Sequence, residues 1–122
     1  MPTAAVGSYE IFYVEAGTGF PLVLIHGLAG DHNAWEAQMP TWAEDHRVLA
    51  FDNRGAGQST QVDEMITTED MAKDTLALMD AVGINKAHIL GRSMGGAIAQ
   101  HMALLAPERV HTLIMCASFA RI

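Results

Sequence analysis

The amino-acid sequence predicts an α/β fold: a mostly parallel sheet with an amino-terminal antiparallel hairpin and helices on both faces. Short continuous apolar runs recur along the chain, and such runs are typical of parallel strands that are covered on both faces. Segments with helical spacing of apolar residues lie between these runs, so strands and helices alternate after the hairpin. The 122 residues, 50% of them hydrophobic, suffice for one domain core, which we expect to span residues 1–122.

The hairpin is predicted in the first 15 residues. Its arms are Thr3–Val6 and Tyr9–Glu15, and its two-residue turn is Gly7-Ser8, because glycine tolerates the backbone conformation that opens such a turn. Four central strands are then predicted from the apolar runs at 21–26, 48–52, 87–90 and 110–117.

Helices are predicted between these strands. Asn33 is interpreted as the cap of a helix over 34–42. Residues 67–70 resemble a helix start with a capping box, and Gly83 ends the helix that follows. The last helix is predicted from about 94 to 106, where a proline stops it.

Composition excludes several classes of partner. The net charge of −7, from 14 acidic and 7 basic residues, argues against binding to nucleic acid or anionic lipid. The sequence contains no leader-like segment and no apolar run of roughly 18 residues, so we expect a cytoplasmic protein without a membrane partner. The single cysteine, Cys116, is interpreted as a small buried hydrophobe.

A serine flanked by glycines, Gly91-Arg92-Ser93-Met94-Gly95, lies between the strand at 87–90 and the last helix. At such a tight turn a hydroxyl stands exposed above the sheet, and the helix start offers free N–H groups to an oxyanion. The sequence therefore predicts Ser93 as a nucleophile. The alternative is a glycine-rich connection in which Ser93 caps the helix. A dinucleotide site is disfavoured, because Ser93 occupies the position where the backbone must approach a phosphate.

Three motifs occur in the order and approximate spacing of a known family: His26-Gly27-Leu28, Asp52 to Ser59, and Gly91 to Gly96. The chain thereby resembles the amino-terminal half of an α/β-hydrolase, in the lipase, esterase and enol-lactonase branch. The resemblance covers essentially the whole chain. It implies that Ser93 is the nucleophile and that the backbone N–H groups of Leu28 and Met94 form the oxyanion hole.

The resemblance also implies residues that position the loops around this site. His26 would fix the loop that begins at Gly27 by hydrogen bonding rather than act as a base. The stretch from Asp52 to Ser59 would be architectural, with Asp52 and Arg54 paired to neighbouring backbone or to each other.

Other candidate site residues have simpler interpretations. Leu28, Trp35, Met65 and Met94 are candidates for pocket lining, although core or cap packing accounts for each of them. The six histidines show no spacing typical of metal ligands. We therefore expect no metal and no cofactor.

The triad acid and histidine of the family would follow the seventh and eighth strands, beyond the sixth strand of this chain. Residues 117–122 offer no acid at the alternative position after strand six. The sequence therefore predicts a core truncated after strand six, without the cap and the carboxy-terminal strands. Strand six would present an edge flanked by Leu113, Ile114, Met115 and Phe119, to be paired with the missing half or with a second copy in a homodimer.

Three functions follow as hypotheses. The first is a serine hydrolase of small esters or lactones that forms an acyl-enzyme on Ser93, with acid and base supplied from outside the chain. The second is a dimer in which the neighbouring copy lends His32 or His26 as the base. The third is a non-catalytic fragment or scaffold that self-associates through its sixth strand. Related acyl-transfer, perhydrolysis and carbon–carbon cleavage chemistry would use the same motifs.

Overall fold

A computed structural model describes residues 2–117, which form a six-stranded mixed sheet with helices on both faces. The strands are β1 (Thr3–Val6), β2 (Tyr9–Ala16), β3 (Phe20–Ile25), β4 (His46–Phe51), β5 (Ala87–Arg92) and β6 (Val110–Cys116). Their order across the sheet is β1-β2-β4-β3-β5-β6. The first three strands in this order (β1, β2 and β4) pair antiparallel, and the last four (β4, β3, β5 and β6) pair parallel. The predicted fold class is therefore confirmed.

The amino-terminal hairpin forms as predicted. Val6 pairs with Tyr9, which leaves Gly7 and Ser8 as the turn, and Gly7 has a φ of 61°. This left-handed conformation costs glycine little, since it has no Cβ.

Three α-helices connect the strands: α1 (Met39–Trp42), α2 (Thr68–Ala81) and α3 (Met94–Leu105). The predicted capping box of α2 is confirmed: the Thr67 hydroxyl accepts from the Asp70 backbone, and the Asp70 carboxylate accepts from the Thr67 backbone. That second hydrogen bond, donated by the Thr67 N–H, lowers the pKa of Asp70. Gly83 follows α2 with a φ of 77° and ends it as predicted.

The prediction of one helix over 34–42, capped by Asn33, is wrong. Residues His32–Trp35 form a 3-10 turn, and α1 begins separately with Pro40 in its first turn. The cap of the 3-10 turn is Asp31, whose carboxylate accepts from the Asn33 backbone at 2.9 Å. Proline favours the first turn of a helix and disfavours the middle, which explains the break.

The continuous apolar runs serve two separate cores. Val23 and Ile25 of β3 pack against α2 and α3 on the face we call the helical face. Leu22 and Leu24 point to the other face, the indole face, where they pack with Trp35 and Trp42. Alternation along a strand therefore exists, but both sides are apolar because both are covered.

Strand β6 lies at one edge of the described sheet. Its Leu113, Ile114 and Met115 remain about two-fifths exposed. Cys116 is also exposed, which corrects its interpretation as a buried hydrophobe: the indole face is not covered beside β6 by any residue from 2 to 117. Phe119 and the acid-free positions 118–122 lie outside the described residues.

None of the helices within residues 2–117 has the length and apolar character needed to span a bilayer.

Candidate active site

Ser93 stands at the turn between β5 and α3, exposed to solvent. Its φ of 56° and ψ of −121° lie outside the conformations that residues with a side chain usually adopt. Such strain persists only where the surroundings impose it, and it is common at functional sites. The backbone N–H of Ser93 donates to the Cys116 carbonyl at 3.0 Å, which ties the turn to the end of β6.

Two glycines make this turn possible. A Cβ on Gly91 would overlap the backbone of Gly95, so β5 and α3 pass at backbone contact. A Cβ on Gly95 would overlap the carbonyl oxygen of Ile25 at the end of β3. The helix start is therefore held against two neighbouring strands at once.

The loop after β3 lies directly against Ser93. A Cβ built on Gly27 would lie 3.0 Å from the Ser93 Cβ and 3.5 Å from its Oγ. The loop turns back on itself through a hydrogen bond from Gly30 N–H to the Gly27 carbonyl at 3.1 Å. Ala29 has a φ of 62° within this turn. The structure thus brings together Ser93, the predicted nucleophile, and the loop that the sequence singles out.

The two predicted oxyanion residues lie beside Ser93 along these segments. Leu28 follows Gly27, and its side chain is 81% exposed; Met94 begins α3. Both line a cavity of about 480 Å³ that is bounded by the loops after β3 and β4. Met65, another candidate lining residue, is 95% exposed, whereas Trp35 is buried in the core of the indole face.

His26 connects the two loops. Its ring is 1% exposed, and its Nε2 accepts from the Asn53 backbone N–H at 2.9 Å. Its Nδ1 lies 2.7 Å from the Gly27 carbonyl, which can only accept. These partners require the neutral tautomer with the proton on Nδ1. Both nitrogens are engaged and buried, so His26 is not available as a base for a neighbouring copy.

Asp52 organises the loop after β4. Its Oδ1 accepts from the backbone N–H of His32 and lies near His32 Nδ1, both at 2.7 Å, and its Oδ2 accepts from Gln58 N–H at 2.8 Å. The Ser59 hydroxyl donates to the Asp52 carbonyl at 2.6 Å. Asp52 therefore pairs with neighbouring backbone, which is one of the two alternatives that its sequence leaves open.

Arg54 does not pair with Asp52. Its guanidinium donates through Nε and Nη2 to both carboxylate oxygens of Asp74 in α2, each at 2.8 Å, and it stacks 4.2 Å from the ring centre of Tyr9. Hydrogen bonding to Asp74 raises the pKa of Arg54. The Tyr9 hydroxyl donates to Glu64, and this bond raises the pKa of Tyr9. The loop is thereby fastened to α2 and β2.

Asp31, His32 and Asp52 offer nitrogen and oxygen atoms within 4.8 Å of one another, so they are the group in residues 2–117 that could surround a metal ion. Linear spacing misses them because they come from two loops. The Asp52 oxygens already accept the hydrogen bonds described above, and those bonds suffice to explain the cluster.

Three other histidines lie at the opposite edge of the sheet from Ser93. His46, His88 and His111 stand at the amino ends of β4, β5 and β6, with ring centres 5.9 Å and 5.1 Å apart and Phe20 beside them. Desolvation, with smaller contributions from His111 and His46, lowers the pKa of His88. The sequence does not reveal this cluster, since its members meet only through strand pairing.

One charged residue beside Ser93 also escapes sequence reasoning. Arg92 lines a second cavity, of about 1280 Å³, on the indole face, together with Trp35 and Cys116. Its position in the motif is the signal that could have identified it, since it directly precedes Ser93.

Comparison with known proteins identifies relatives of the whole arrangement. The family profile of the alpha/beta hydrolase fold matches residues 21–121. The dihydrolipoyllysine-residue acetyltransferase component of the acetoin cleaving system of Pseudomonas putida is 41% identical over 117 residues, which are 94% of this chain and 32% of that protein. The 3-oxoadipate enol-lactonase 1 of Acinetobacter baylyi is 35% identical over 101 residues, which are 83% of this chain and 38% of that protein.

A solved structure, the malate-bound thermophilic esterase of Thermogutta terrifontis, superimposes with a TM-score of 0.91 and 35% identity, covering 98% of this chain and 44% of the esterase chain. The chain thus spans less than half the length of each of these relatives.

Proposed function

Because the chain belongs to the alpha/beta hydrolase family, we propose that it contributes the nucleophile and the oxyanion hole of a hydrolase of small esters or lactones. The observation that supports this most is the strained, exposed Ser93 lying against Gly27. The named relatives include an enol-lactonase and an esterase, which act on this class of bond.

In the proposed reaction the Ser93 Oγ attacks the carbonyl carbon of the ester or lactone while a histidine base accepts the hydroxyl proton. The carbonyl oxygen becomes an oxyanion that accepts hydrogen bonds from the backbone N–H groups of Leu28 and Met94. Collapse of this intermediate breaks the C–O bond, and the imidazolium returns the proton to the leaving alkoxide. In a lactone the alcohol stays attached to the acyl group.

Water completes the cycle. The same base takes a proton from water, whose oxygen attacks the acyl carbon, and Ser93 leaves with its proton restored. The roles of base and orienting acid are proposed for residues outside 2–117, because His26 is engaged in its own chain and three other histidines lie at the far edge of the sheet.

The partner that supplies them is proposed to pair with β6. The exposed Leu113, Ile114 and Met115 on this edge favour coverage by further strands of a longer hydrolase, or by a second copy. The same edge supports the second candidate function, a non-catalytic scaffold that self-associates through β6. A folded protein that dimerises but is inert toward activated esters would favour the scaffold.

The test is covalent labelling and turnover in the full-length protein. A fluorophosphonate should label Ser93, and Ser93→Ala should abolish labelling and lower ester turnover by roughly a thousandfold or more. Ser8→Ala, in the exposed hairpin turn, is the matched control and should retain full activity. Labelling that persists in Ser93→Ala would reject Ser93 as the nucleophile.

A further inference from the structure

The peptide group between Gly27 and Leu28 is held from its carbonyl side. The Gly27 carbonyl accepts the proton of His26 Nδ1 at 2.7 Å and the N–H of Gly30 at 3.1 Å. The peptide is trans and planar, so the Leu28 N–H points away from that carbonyl. Among the hydrogen bonds of residues 2–117, none is donated by the Leu28 N–H. His26 and Gly30 therefore fix the direction of an N–H that has no acceptor in this part of the chain.

The same two hydrogen bonds affect the strength of the Leu28 N–H as a donor. A peptide group whose carbonyl accepts a hydrogen bond donates more strongly through its own N–H, because successive hydrogen bonds polarise one another. This peptide lies beside Ser93, since a Cβ built on Gly27 would be 3.5 Å from the Ser93 Oγ. The Leu28 N–H is one of the two predicted oxyanion donors. Both its direction and its strength therefore depend on the proton of His26.

Asn53 determines which nitrogen of His26 carries that proton. Its backbone N–H donates to His26 Nε2 at 2.9 Å, and its side-chain nitrogen lies 3.3 Å from the same Nε2. Both groups can only donate, so Nε2 keeps its lone pair and the proton stays on Nδ1.

The side chain of Asn53 is oriented at a cost. Asn53 is 2% exposed, and its Oδ1 has no hydrogen-bond partner among the described residues. A buried acceptor without a partner is unfavourable and uncommon. Turning the amide around would place this oxygen against the Nε2 lone pair, so the two acceptors would repel each other. The orientation that leaves Oδ1 unpaired is thus the one that keeps the His26 proton on Nδ1.

We infer that Asn53 is a positioning residue of the oxyanion hole: it keeps the His26 proton on Nδ1, and that proton aims and strengthens the Leu28 N–H. The inference rests on the proposed function and adds to it a residue of the loop after β4. It differs from a simple connection between two loops, because the hydrogen bond to the Gly27 carbonyl is the one that acts on the reaction.

Two substitutions at His26 separate the roles of its two nitrogens. His26→Asn places an amide nitrogen close to the position of Nδ1 and keeps a donor for Gly27, whereas His26→Gln places its amide close to Nε2 and keeps only the link to Asn53. In the full-length protein, His26→Gln should lower kcat for 4-nitrophenyl butyrate at least about tenfold and His26→Asn less than about threefold, with KM within about twofold in both. A simple connection between the loops predicts the opposite order. His101→Asn and His101→Gln, on α3, are the matched controls and should change neither parameter.

A double-mutant cycle tests whether Asn53 acts through His26. Asn53→Ala should lower kcat about threefold and leave KM unchanged, because the backbone N–H of residue 53 still donates to Nε2. Combined with His26→Asn, the same substitution should have no further effect on kcat, since an asparagine at position 26 has no tautomer to be set. Equal losses with and without His26→Asn, or no loss in either case, would reject Asn53 as a positioning residue.

The position of the proton can also be measured without turnover. Two-bond ¹H–¹⁵N correlation spectra of the histidine rings distinguish the two neutral tautomers, and His26 of the wild type should carry its proton on Nδ1. This spectrum and Asn53→Ala decide the inference if a His26 variant does not fold. An active wild type with the proton on Nε2, or a lower kcat in His26→Asn than in His26→Gln, would overturn the inference alone. A wild type that neither reacts with the fluorophosphonate nor hydrolyses the ester would contradict the proposed function instead.

Discussion

The turns after β4 and β5 lie at the same edge of the sheet but are held in position by opposite means. The turn at Ser93 requires glycine on both sides, because a Cβ on Gly91 or Gly95 would overlap neighbouring backbone. The loop after β4 depends on side chains that are present, because Asp52 accepts three hydrogen bonds from within and beside it. Even there one glycine is required, since a Cβ on Gly57 would overlap the Asp52 carboxylate.

This difference separates two ways of fixing a loop. Steric contact, together with one backbone hydrogen bond from Ser93 N–H to the Cys116 carbonyl, fixes the position of the turn at Ser93. Hydrogen bonding fixes the neighbouring loop by consuming its polar groups, which suits a support and not a binding surface. Substitutions that add a side chain should therefore damage the turn at Ser93, and substitutions that remove a hydrogen-bonding group should damage the loop after β4.

The largest effect is expected from Gly95→Ala. The new Cβ would overlap the Ile25 carbonyl, so α3 or β3 must move, and we expect a loss of about 3 kcal/mol or more in the free energy of unfolding. Gly83→Ala is the matched control: it has a φ of 77° but no heavy atom within 4 Å of its Cβ, and it should cost only about 1–2 kcal/mol. Urea unfolding measures both, and equal losses would remove the steric half of the comparison.

A smaller effect is expected from Asp52→Asn, which keeps the shape and changes the polarity. Its amide group would present hydrogens either to Gln58 N–H or to His32, leaving a buried donor without an acceptor at a cost of about 1–3 kcal/mol. Asp45→Asn, at an exposed pair with His46, should change stability by less than about 0.5 kcal/mol. An Asp52→Asn protein as stable as wild type in urea would show that the hydrogen bonds do not fix the loop.

The smallest effect on stability is expected from His88, at the amino end of β5 and far from both turns. The pKa of His88 is lowered by desolvation and by His111 and His46, so the unfolded chain binds the proton more readily than the folded one. Stability is then fully present above the ordinary pKa of 6.5 and falls as the pH drops from that value toward the lowered folded pKa.

His88→Gln should therefore reduce the drop in urea midpoint between pH 7.5 and pH 5.5, while His101→Gln, on α3, should not. An unchanged drop in His88→Gln would mean that another group is responsible for the loss at acid pH.

Local signals made much of the fold predictable. The hairpin, the six strands and the capping box of α2 each depend on residues within a few positions of one another, and each is found where the sequence places it. The break before α1 is not predicted by the helical pattern over 34–42, because it depends on Pro40 and on the cap that the Asp31 carboxylate provides.

The candidate site was predictable in part. Its motifs follow strand ends, so the meeting of Ser93 with the loop at Gly27 follows from the parallel sheet. The partners of long side chains could not be predicted: Asp74 lies twenty residues from Arg54, and nothing in linear order joins them. That Arg92 has no carboxylate partner within residues 2–117, whereas the other arginines of this range are paired, also becomes visible only in the structure.

Strand β6 contains an irregularity in its pairing with β5. Ala87 pairs with Val110 and His88 with Thr112, so His111 is an extra residue opposite no partner. Val110 packs into the helical core, yet Thr112, two positions later, lines the cavity on the opposite face. The alternation of side chains between the two faces of the sheet is interrupted at His111 and resumes after it. The length of β6 can change by one residue at this position while every later side chain of the strand stays on the same face of the sheet.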